Sequence, residues 1–421
     1  MKRKIIALTM AAAMLLTACS GKSAGEEPSA VYYEITGVDS EETVLVLDGN
    51  EIPAELYCYW AAFNCSALEY QLKMYHDYYG MYEEIFGDDG EIDWNAEFPS
   101  SKMTLNEYAK SIVEDTVFFY AAIENMAKKY GVELTEEDKA AIEEERLNMV
   151  DSLGGEEAFE DYLEETGLSR DNLERVMAAT SLLDGLMEQA GQEGSDLYLP
   201  AENYGEYLRY TDYIVLFTGS SLSDEEKAAK RQTAEDLLAQ LNVGGDKEEL
   251  FVQLAGEHSE EARSEEQVGY FYAPGTMPDV FEEAAGALQP GEVSDIVETD
   301  NGLYIILGKS LEEGLEQYPE EKDELLQNYV VSLVNEYQDG MEVERRGTLT
   351  DMELGGFYQK YLEKMSERAV EDATNTLQGA ESSPLGSELS GHVDLNFIRQ
   401  ETQTLRPGGF SDPRPRCFFR T

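Results

Sequence analysis

The sequence predicts an α+β protein in which a helical block is interrupted by one small sheet-forming region. Three observations lead to this prediction. Apolar residues recur at three- to four-residue steps from about 53 to 190, which is the spacing of amphipathic helices. From Tyr210 to Leu307, β-rich runs alternate with short helical stretches, as in a small α+β sheet. Helical spacing returns after Pro319 and continues to about residue 373.

Composition supports folded domains and excludes one class of partner. The chain has 421 residues, enough for two or three domains, and 42% of them are hydrophobic, enough for sizeable cores. Acidic residues number 87 against 31 basic ones, so the formal net charge is −56. Because so acidic a surface repels a phosphate backbone, we expect no nucleic-acid partner.

The first residues indicate the compartment. A basic start at 2–4 precedes a mainly apolar run from Ile5 to Ala18, which is too short to span a bilayer but suits a signal-peptide core. The run ends in Leu16-Thr17-Ala18-Cys19, which resembles the lipobox of bacterial lipoproteins. That resemblance implies cleavage after residue 18 and a lipid anchor at Cys19, on the extracytoplasmic face of the bacterial membrane. The alternative is an ordinary secretory signal with a chance cysteine.

The segment after Cys19 predicts a tether, a strand and a long aromatic helix. Gly, Ser, Ala, Glu and Pro dominate its first part, and we expect a flexible tether over 19–40. A short strand follows at Val44–Leu47, and a helix then runs from about Pro53 to Tyr82 with nine aromatic residues. We interpret these aromatics as core packing with tyrosines at its margins; the alternative is an adhesive surface for unfolded segments.

Capping sequences mark the helix starts. Thr104-Leu105-Asn106-Glu107 and Ser223-Asp224-Glu225-Glu226 are complete capping boxes, in which the hydroxyl and the glutamate satisfy backbone N–H groups reciprocally. Thr135 precedes three acidic residues that suit the positive end of a helix dipole. A Gly/Glu/Ser/Asp linker at 191–196 ends the first helical block.

Cysteine and histidine content predicts neither a metal site nor a cofactor. Cys58 and Cys65 are seven positions apart in one helical pattern, roughly 10 Å along the axis, which is too far for a disulfide. We therefore predict buried thiols. No cysteine pair has zinc-site spacing, and the chain holds three histidines.

Motifs in the sheet-forming region resemble the parvulin-type (PpiC-type) peptidyl-prolyl isomerases. They are the run GYFYAPGTMPDVFEEAAGALQPGEVSDIV from Gly269, the Asn301-Gly302 turn and Tyr304-Ile305-Ile306. The resemblance covers about 206–313, roughly a quarter of the chain. With a lipobox in front and helices on both sides, the whole chain resembles the PrsA-like foldase lipoproteins and, more distantly, the SurA-like chaperones.

The resemblance implies that the helices on both sides form one chaperone-like domain. A parvulin-like domain of about four antiparallel-type strands is then inserted into it. The predicted segments are a signal peptide (1–18), a tether (19–40), the N-terminal helical part (41–205), the parvulin-like domain (206–313), the C-terminal helical part (314–375) and a disordered tail (376–421). The tail prediction depends on its lack of periodicity and its zero net charge.

The resemblance also implies a proline pocket. Matched by motif position, Met277 and Phe281 line it, with Val268 where the family usually has Leu and with Phe271 in support. The alternative is that these are core residues of a small domain.

Two further positions depart from the family pattern. The two family histidines fall at Tyr213 and Tyr304, whose phenols can still form hydrogen bonds. The family Cys or Asp falls near Glu260 or Glu261, and we assign Glu261. The resemblance therefore implies Tyr213, Glu261 and Tyr304 as catalytic residues, and the alternative is a structural pair of tyrosines in a domain that has lost catalysis.

The chemistry implied by the resemblance is rotation about an X–Pro bond, which crosses about 18–20 kcal/mol because twisting breaks amide resonance. A catalyst can grip the proline ring and favour the twisted amide, without an obligatory acid or base. We expect a membrane-anchored extracytoplasmic foldase that isomerises X–Pro bonds in unfolded or newly secreted proteins and has chaperone activity. The alternative is a non-catalytic holdase with a degenerate parvulin domain. A homodimer is an open alternative.

Overall fold

The computed structural model describes residues 31–381, except for 88–89, 99–100, 220–221, 244–246 and 262–268. Its helices are α1 (Val31–Thr36), α2 (Ala54–Tyr79), α3 (Leu105–Tyr130), α4 (Glu136–Leu153), α5 (Glu156–Thr166), α6 (Arg170–Ala190), α7 (Asp224–Asn242), α8 (Lys247–His258), α9 (Asp279–Gly286), α10 (Leu311–Gln317), α11 (Glu321–Gly340) and α12 (Leu354–Glu381). Its strands are β1 (Thr43–Leu47), β2 (Asn50–Pro53), β3 (Arg209–Phe217), β4 (Tyr270–Tyr272), β5 (Val297–Glu298), β6 (Gly302–Gly308) and β7 (Val343–Arg345). The predicted signal peptide, Cys19, the first part of the predicted tether and residues 382–421 lie outside this range.

The helix starts follow the capping sequences. The Thr104 hydroxyl accepts a hydrogen bond from the Glu107 N–H at 3.2 Å, and the Glu107 carboxylate accepts one from the Thr104 N–H at 2.8 Å. Complete capping boxes also precede α4 at Thr135 and α7 at Ser223. The predicted starts of α3, α4 and α7 are therefore confirmed.

The described chain divides into two compact units. The helical unit comprises the chain up to Gly185 and from Val334 onward, and the sheet unit comprises Leu186–Leu333. The predicted parvulin-like segment, 206–313, lies within the sheet unit. None of the described helices combines the length and hydrophobicity that a transmembrane span requires.

The helical unit is formed by both ends of the chain. Its sheet has the order β2-β1-β7, and all pairs are antiparallel, with Leu45 opposite Arg345. Helix α2 packs against α3 and α12. Cys58 and Cys65 are buried, free thiols of α2, which confirms their predicted burial.

The end of the predicted tether is ordered. The predicted range 19–40 includes α1, and both Val31 and Tyr32 are buried. The Tyr32 ring lies 6.1 Å from Phe357 and 6.0 Å from Tyr361 of α12, measured between centroids. The tether prediction is therefore wrong for residues 31–36, because this aromatic contact with a distant helix stabilises them.

The sheet unit contains a four-stranded antiparallel sheet in the order β4-β3-β6-β5. Its central strands pair along their length, with Tyr213 opposite Ile306 and Val215 opposite Tyr304. Because side chains alternate between faces, Ile214 and Leu216 pack with Phe251 of α8 and residues of α7 on one face. On the other face, Tyr213 and Val215 pack with Phe281 of α9. The predicted α+β class with about four antiparallel strands is confirmed.

Two boundaries differ from the prediction. The strand expected over Val293–Val297 is regular only at β5, and Val293 forms an isolated bridge with Leu307. Helix α12 continues through 376–381, so the predicted start of the tail at residue 376 is wrong. Its remaining part, 382–421, lies outside the described residues.

Candidate functional site

Tyr213 and Tyr304 meet on one face of the sheet. β3 and β6 are adjacent, and the pairing of Val215 with Tyr304 places Tyr213 diagonally across from Tyr304. Their ring centroids are 5.6 Å apart, and the side chains are 4% and 8% exposed. The structure therefore brings together the two tyrosines that the sequence placed in one site.

Phe281 lies beside both phenols. This residue of α9 is fully buried, and its ring centroid is 5.6 Å from Tyr213 and 5.3 Å from Tyr304. The interplanar angles are 89° and 80°, so each phenol meets Phe281 edge to face, an arrangement that aromatic quadrupoles favour. We call the set the tyrosine cluster; its buried members are Tyr213, Val215, Tyr272, Phe281, Ala285, Tyr304 and Ile306.

Met277 packs at the edge of the tyrosine cluster and is partly buried. It precedes α9, which begins only at Asp279 after the N-cap Pro278. The Glu282 carboxylate holds the preceding loop by accepting hydrogen bonds from the Gly275 N–H at 2.7 Å and the Met277 N–H at 3.1 Å. Met277 is thus positioned by a loop and not by helical spacing.

Glu261 contacts the phenol of Tyr213. The Tyr213 hydroxyl donates a hydrogen bond to its carboxylate. The neighbouring Glu260 is held at the edge of β3, since its N–H donates to the Val215 carbonyl at 2.9 Å and its carboxylate accepts from the Phe217 N–H at 2.8 Å. Glu260 also pairs with Lys230 of α7, so of these two glutamates Glu261 is the one that bonds to the cluster.

Burial controls the protonation of the two phenols. Desolvation raises the pKa of Tyr213, and its hydrogen bond to Glu261 raises this pKa further. Desolvation also raises the pKa of Tyr304, with a smaller contribution from the Glu261 charge. Both side chains are therefore neutral at physiological pH. They can donate or accept hydrogen bonds but do not act as bases.

Phe271 is not part of the tyrosine cluster. It pairs with Tyr210 across β3 and β4, stacks on that ring at 4.1 Å, and lies 6.0 Å from Tyr318. Since Tyr210 precedes Tyr213 by three positions, the two point to opposite faces of β3, and Phe271 faces away with Tyr210. The prediction that Phe271 supports the pocket is therefore wrong.

Tyr270 and Tyr272, on either side of Phe271 in β4, contact the tyrosine cluster instead of Phe271. The Tyr270 ring lies 5.6 Å from Tyr213, and the Tyr272 ring lies 5.9 Å from Phe281. Neither tyrosine was predicted from the sequence to belong to the site. Period-two alternation through the Tyr-Phe-Tyr run was the available signal, but it did not say which face the sheet buries. The remaining predicted residues, Val268 and Cys19, lie outside the described part of the chain.

Comparison with known proteins identifies the sheet unit's central segment. A family model described as Rotamase, PPIC-type PPIASE domain, matches residues 214–310. The matched segment begins one residue after Tyr213 and includes Met277, Phe281 and Tyr304. This match confirms the resemblance that the motifs indicated.

Similar proteins share larger parts of the chain. Foldase protein PrsA of Oceanobacillus iheyensis is 27% identical over 254 residues, which are 58% of this chain and 77% of that protein. Foldase protein PrsA of Geobacillus kaustophilus is 33% identical over 37% of this chain and 51% of its own length. Chaperone SurA of Thiobacillus denitrificans is 30% identical over 32% of this chain and 28% of its own length. The chain therefore spans between about a quarter and three quarters of these relatives.

Among solved structures, the crystal structure of peptidylprolyl isomerase (PrsA) from Bacillus cereus is 19% identical to this chain. It covers 65% of this chain and 92% of its own, with a TM-score of 0.28.

Proposed function

Starting from a PPIC-type parvulin domain at residues 214–310 and PrsA foldases among its relatives, we propose that the chain is an extracytoplasmic foldase. Its reaction is cis–trans isomerisation of X–Pro bonds in unfolded or newly secreted proteins, combined with chaperone activity. Cleavage after residue 18 and lipidation of Cys19 attach it to the membrane. The lipobox sequence supports this anchor, and release of a Cys19→Ser chain into the soluble fraction is the result that tests it.

The observation that carries the catalytic proposal is the tyrosine cluster with its bond to Glu261. Twisting the X–Pro amide removes resonance and leaves a lone pair on nitrogen, which becomes a hydrogen-bond acceptor. A neutral phenol close to an apolar grip for the proline ring favours this twisted state over the planar one. In this proposal Tyr304 donates to the twisted amide, and Glu261 orients Tyr213 beside it.

The proline ring enters next to Met277 and Tyr270, two of the five partly buried residues that pack at the cluster edge. The inner rings of Tyr213, Phe281 and Tyr304 are packed against one another, so they form the floor of the site. Truncation of Met277 therefore removes part of the grip while leaving the floor intact.

The test is the isomerisation rate of a series of X–Pro peptides, measured with residues 20–421 and with variants of that chain. We expect the chain to accelerate isomerisation over the uncatalysed reaction, which takes tens of seconds or more. The catalysed rate should fall by about tenfold or more in Met277→Ala and in Tyr304→Phe. The matched control is Tyr358→Phe, because Tyr358 is a buried tyrosine of the helical unit whose hydroxyl donates to Glu69 at 2.8 Å. If the folded chain gives only the uncatalysed rate for every peptide, the proposal that it is an isomerase is rejected.

A second candidate, a holdase with an inert parvulin domain, is favoured by one observation. Tyr213 and Tyr304 are 4% and 8% exposed, so their own rings fill much of the apolar face that a substrate ring requires. In that case the chain suppresses aggregation of an unfolded protein at an unchanged isomerisation rate, and Met277→Ala has no effect on either measurement.

A further inference from the structure

The C-terminal end of α2 exposes aromatic side chains in the helical unit. Tyr70, Tyr78, Tyr79 and Met81 are 50%, 82%, 68% and 43% exposed. Tyr75 and Tyr82, which are partly buried, lie among them. We call these six residues the aromatic patch. Soluble proteins expose few large apolar side chains together, and contiguous sets of them mark interaction surfaces.

Three of the five rings of the aromatic patch contact other rings. The Tyr75 centroid lies 6.0 Å from Tyr79 and 6.1 Å from Tyr82, and Tyr82 lies 5.6 Å from Phe98. The chain reverses here through Gly80, with φ 61°, and Tyr82, with φ 63°. A left-handed backbone is unfavourable for a residue with a side chain, so the contacts of the Tyr82 ring stabilise a conformation that the backbone alone disfavours. These contacts pre-organise the part of the patch formed by Tyr75, Tyr79 and Tyr82.

The segment that carries the aromatic patch is rich in acidic residues. Between residues 69 and 98 the sequence has nine acidic residues, one lysine and one histidine. The lysine, Lys73, pairs with Glu69 at 2.6 Å and Glu91 at 2.9 Å. Asp77 and Glu83, two of the acidic residues, are exposed and adjacent in sequence to Tyr78 and Tyr82, and we call these two residues the acidic rim. The local charge is thus strongly negative and complementary to a cationic ligand.

We propose that the aromatic patch binds extended segments of unfolded proteins in which Lys or Arg alternates with apolar residues. This proposal rests on the proposed foldase function and specifies its clients. Tyrosine rings attract ammonium and guanidinium groups through their faces, and the acidic rim adds Coulomb attraction. The same rim disfavours a second copy of this chain, whose net charge is −56, and an anionic lipid surface.

The test measures binding of three short unstructured peptides to residues 20–421. The first alternates Lys with Phe, Gly and Pro; the second has Glu at each Lys; the third has Ser at each Phe. The variant is Tyr78→Ser with Tyr79→Ser, two exposed positions whose loss leaves the core intact. The matched control is Tyr33→Ser, because Tyr33 of α1 is 50% exposed outside the patch.

We expect the first peptide to bind more tightly than the other two, and the double variant to weaken its binding about five- to thirtyfold, the loss of two cation–π contacts. The control must bind like the parent chain. Equal binding of the Lys and Glu peptides overturns the proposal. So does an unchanged affinity in the double variant, or a variant whose only change is in the oligomeric state.

Failure of this proposal and failure of the foldase are distinguishable. Isomerisation of a short X–Pro peptide depends on the tyrosine cluster, so the double variant must leave it unchanged. If the chain binds the Lys peptide but isomerises no peptide, the binding proposal is supported and the enzyme proposal is rejected. If the chain isomerises X–Pro peptides but binds the three peptides equally, the enzyme proposal is supported and the binding proposal is rejected.

Discussion

At the two positions predicted to match the family histidines the chain has buried phenols, and phenols respond to pH differently from histidines. A histidine titrates near neutrality, whereas desolvation raises the pKa of Tyr213 and Tyr304 above the usual value of about 10. The folded state thus keeps protons that the unfolded state releases above about pH 10. The stability that comes from these neutral phenols is complete below that pH and decreases as the pH rises.

Tyr213→Phe removes one of these titrations. We expect the loss of stability between about pH 9 and about pH 11 to become shallower, by at most about 1.4 kcal/mol per pH unit. The measurement is the free energy of unfolding in urea at each pH, compared between the variant and the parent chain. Tyr78 is 82% exposed, so it is similarly solvated in both states and Tyr78→Phe is the control. If the free energy of unfolding has the same slope against pH in Tyr213→Phe and in the parent chain, folding does not raise the pKa of Tyr213.

At the scale of single elements, two adjacent glycines at the start of α12 have opposite surroundings. A Cβ on Gly355 would overlap Cβ and Cγ of Trp94, whereas a Cβ on Gly356 would meet nothing within 4 Å. Trp94 is 6% exposed, and its Cβ and Cγ cannot move without the rest of the ring. Gly355 is therefore required by close packing, and Gly356 is not.

We expect Gly355→Ala to destabilise the helical unit by about 1–3 kcal/mol, the usual cost of overpacking. Gly356→Ala should be neutral or stabilise by up to about 1 kcal/mol, since alanine favours a helix more than glycine does. Thermal unfolding of both variants makes the comparison. Equal effects of the two substitutions would show that Trp94 does not restrict this position.

Elements defined by local sequence were predictable, and those defined by a distant partner were not. The boxes at Thr104 and Ser223 carry their own hydrogen bonds, so the starts of α3 and α7 could be predicted. β7 was missed because its three residues are exposed and become a strand only by pairing with β1, about 300 positions earlier. Phe271 was placed on the wrong face because a three-residue strand does not reveal which side the sheet buries. The pair Tyr213 and Tyr304 was found because the family motif supplied the register.

At the scale of the whole molecule, the helical unit needs both ends of the chain. Strand β7 adds an edge to β1, and Arg345 pairs with Glu114 of α3 at 2.9 Å. Tyr358 of α12 hydrogen-bonds Glu69, and its ring lies 5.8 Å from Trp94. These contacts join segments more than 200 positions apart, so the unit cannot be complete before its C-terminal part is present.

A chain that ends at residue 340 lacks β7 and α12, and we expect it to lose the packed helical unit. Hydrogen exchange should then show weak protection in α2 and α3, with protection kept in β3 and β6 of the sheet unit. A chain that ends at Glu381 is the control and should match the parent chain. Full protection of α2 in the shorter chain would contradict the dependence on both ends.

The net charge of −56 gives salt two opposite effects on this molecule. Added salt shortens the screening length from about 10 Å at 0.1 M to about 3 Å at 1 M, which weakens repulsion among the 87 acidic residues and should raise the melting temperature. The same screening should weaken binding of a Lys-rich peptide at the aromatic patch, because that binding uses the acidic rim. One series of sodium chloride concentrations, with melting temperature and dissociation constant measured in each, tests both. A dissociation constant that does not rise with salt would contradict an electrostatic contribution to peptide binding at the aromatic patch, since hydrophobic contact alone is strengthened or unchanged by salt.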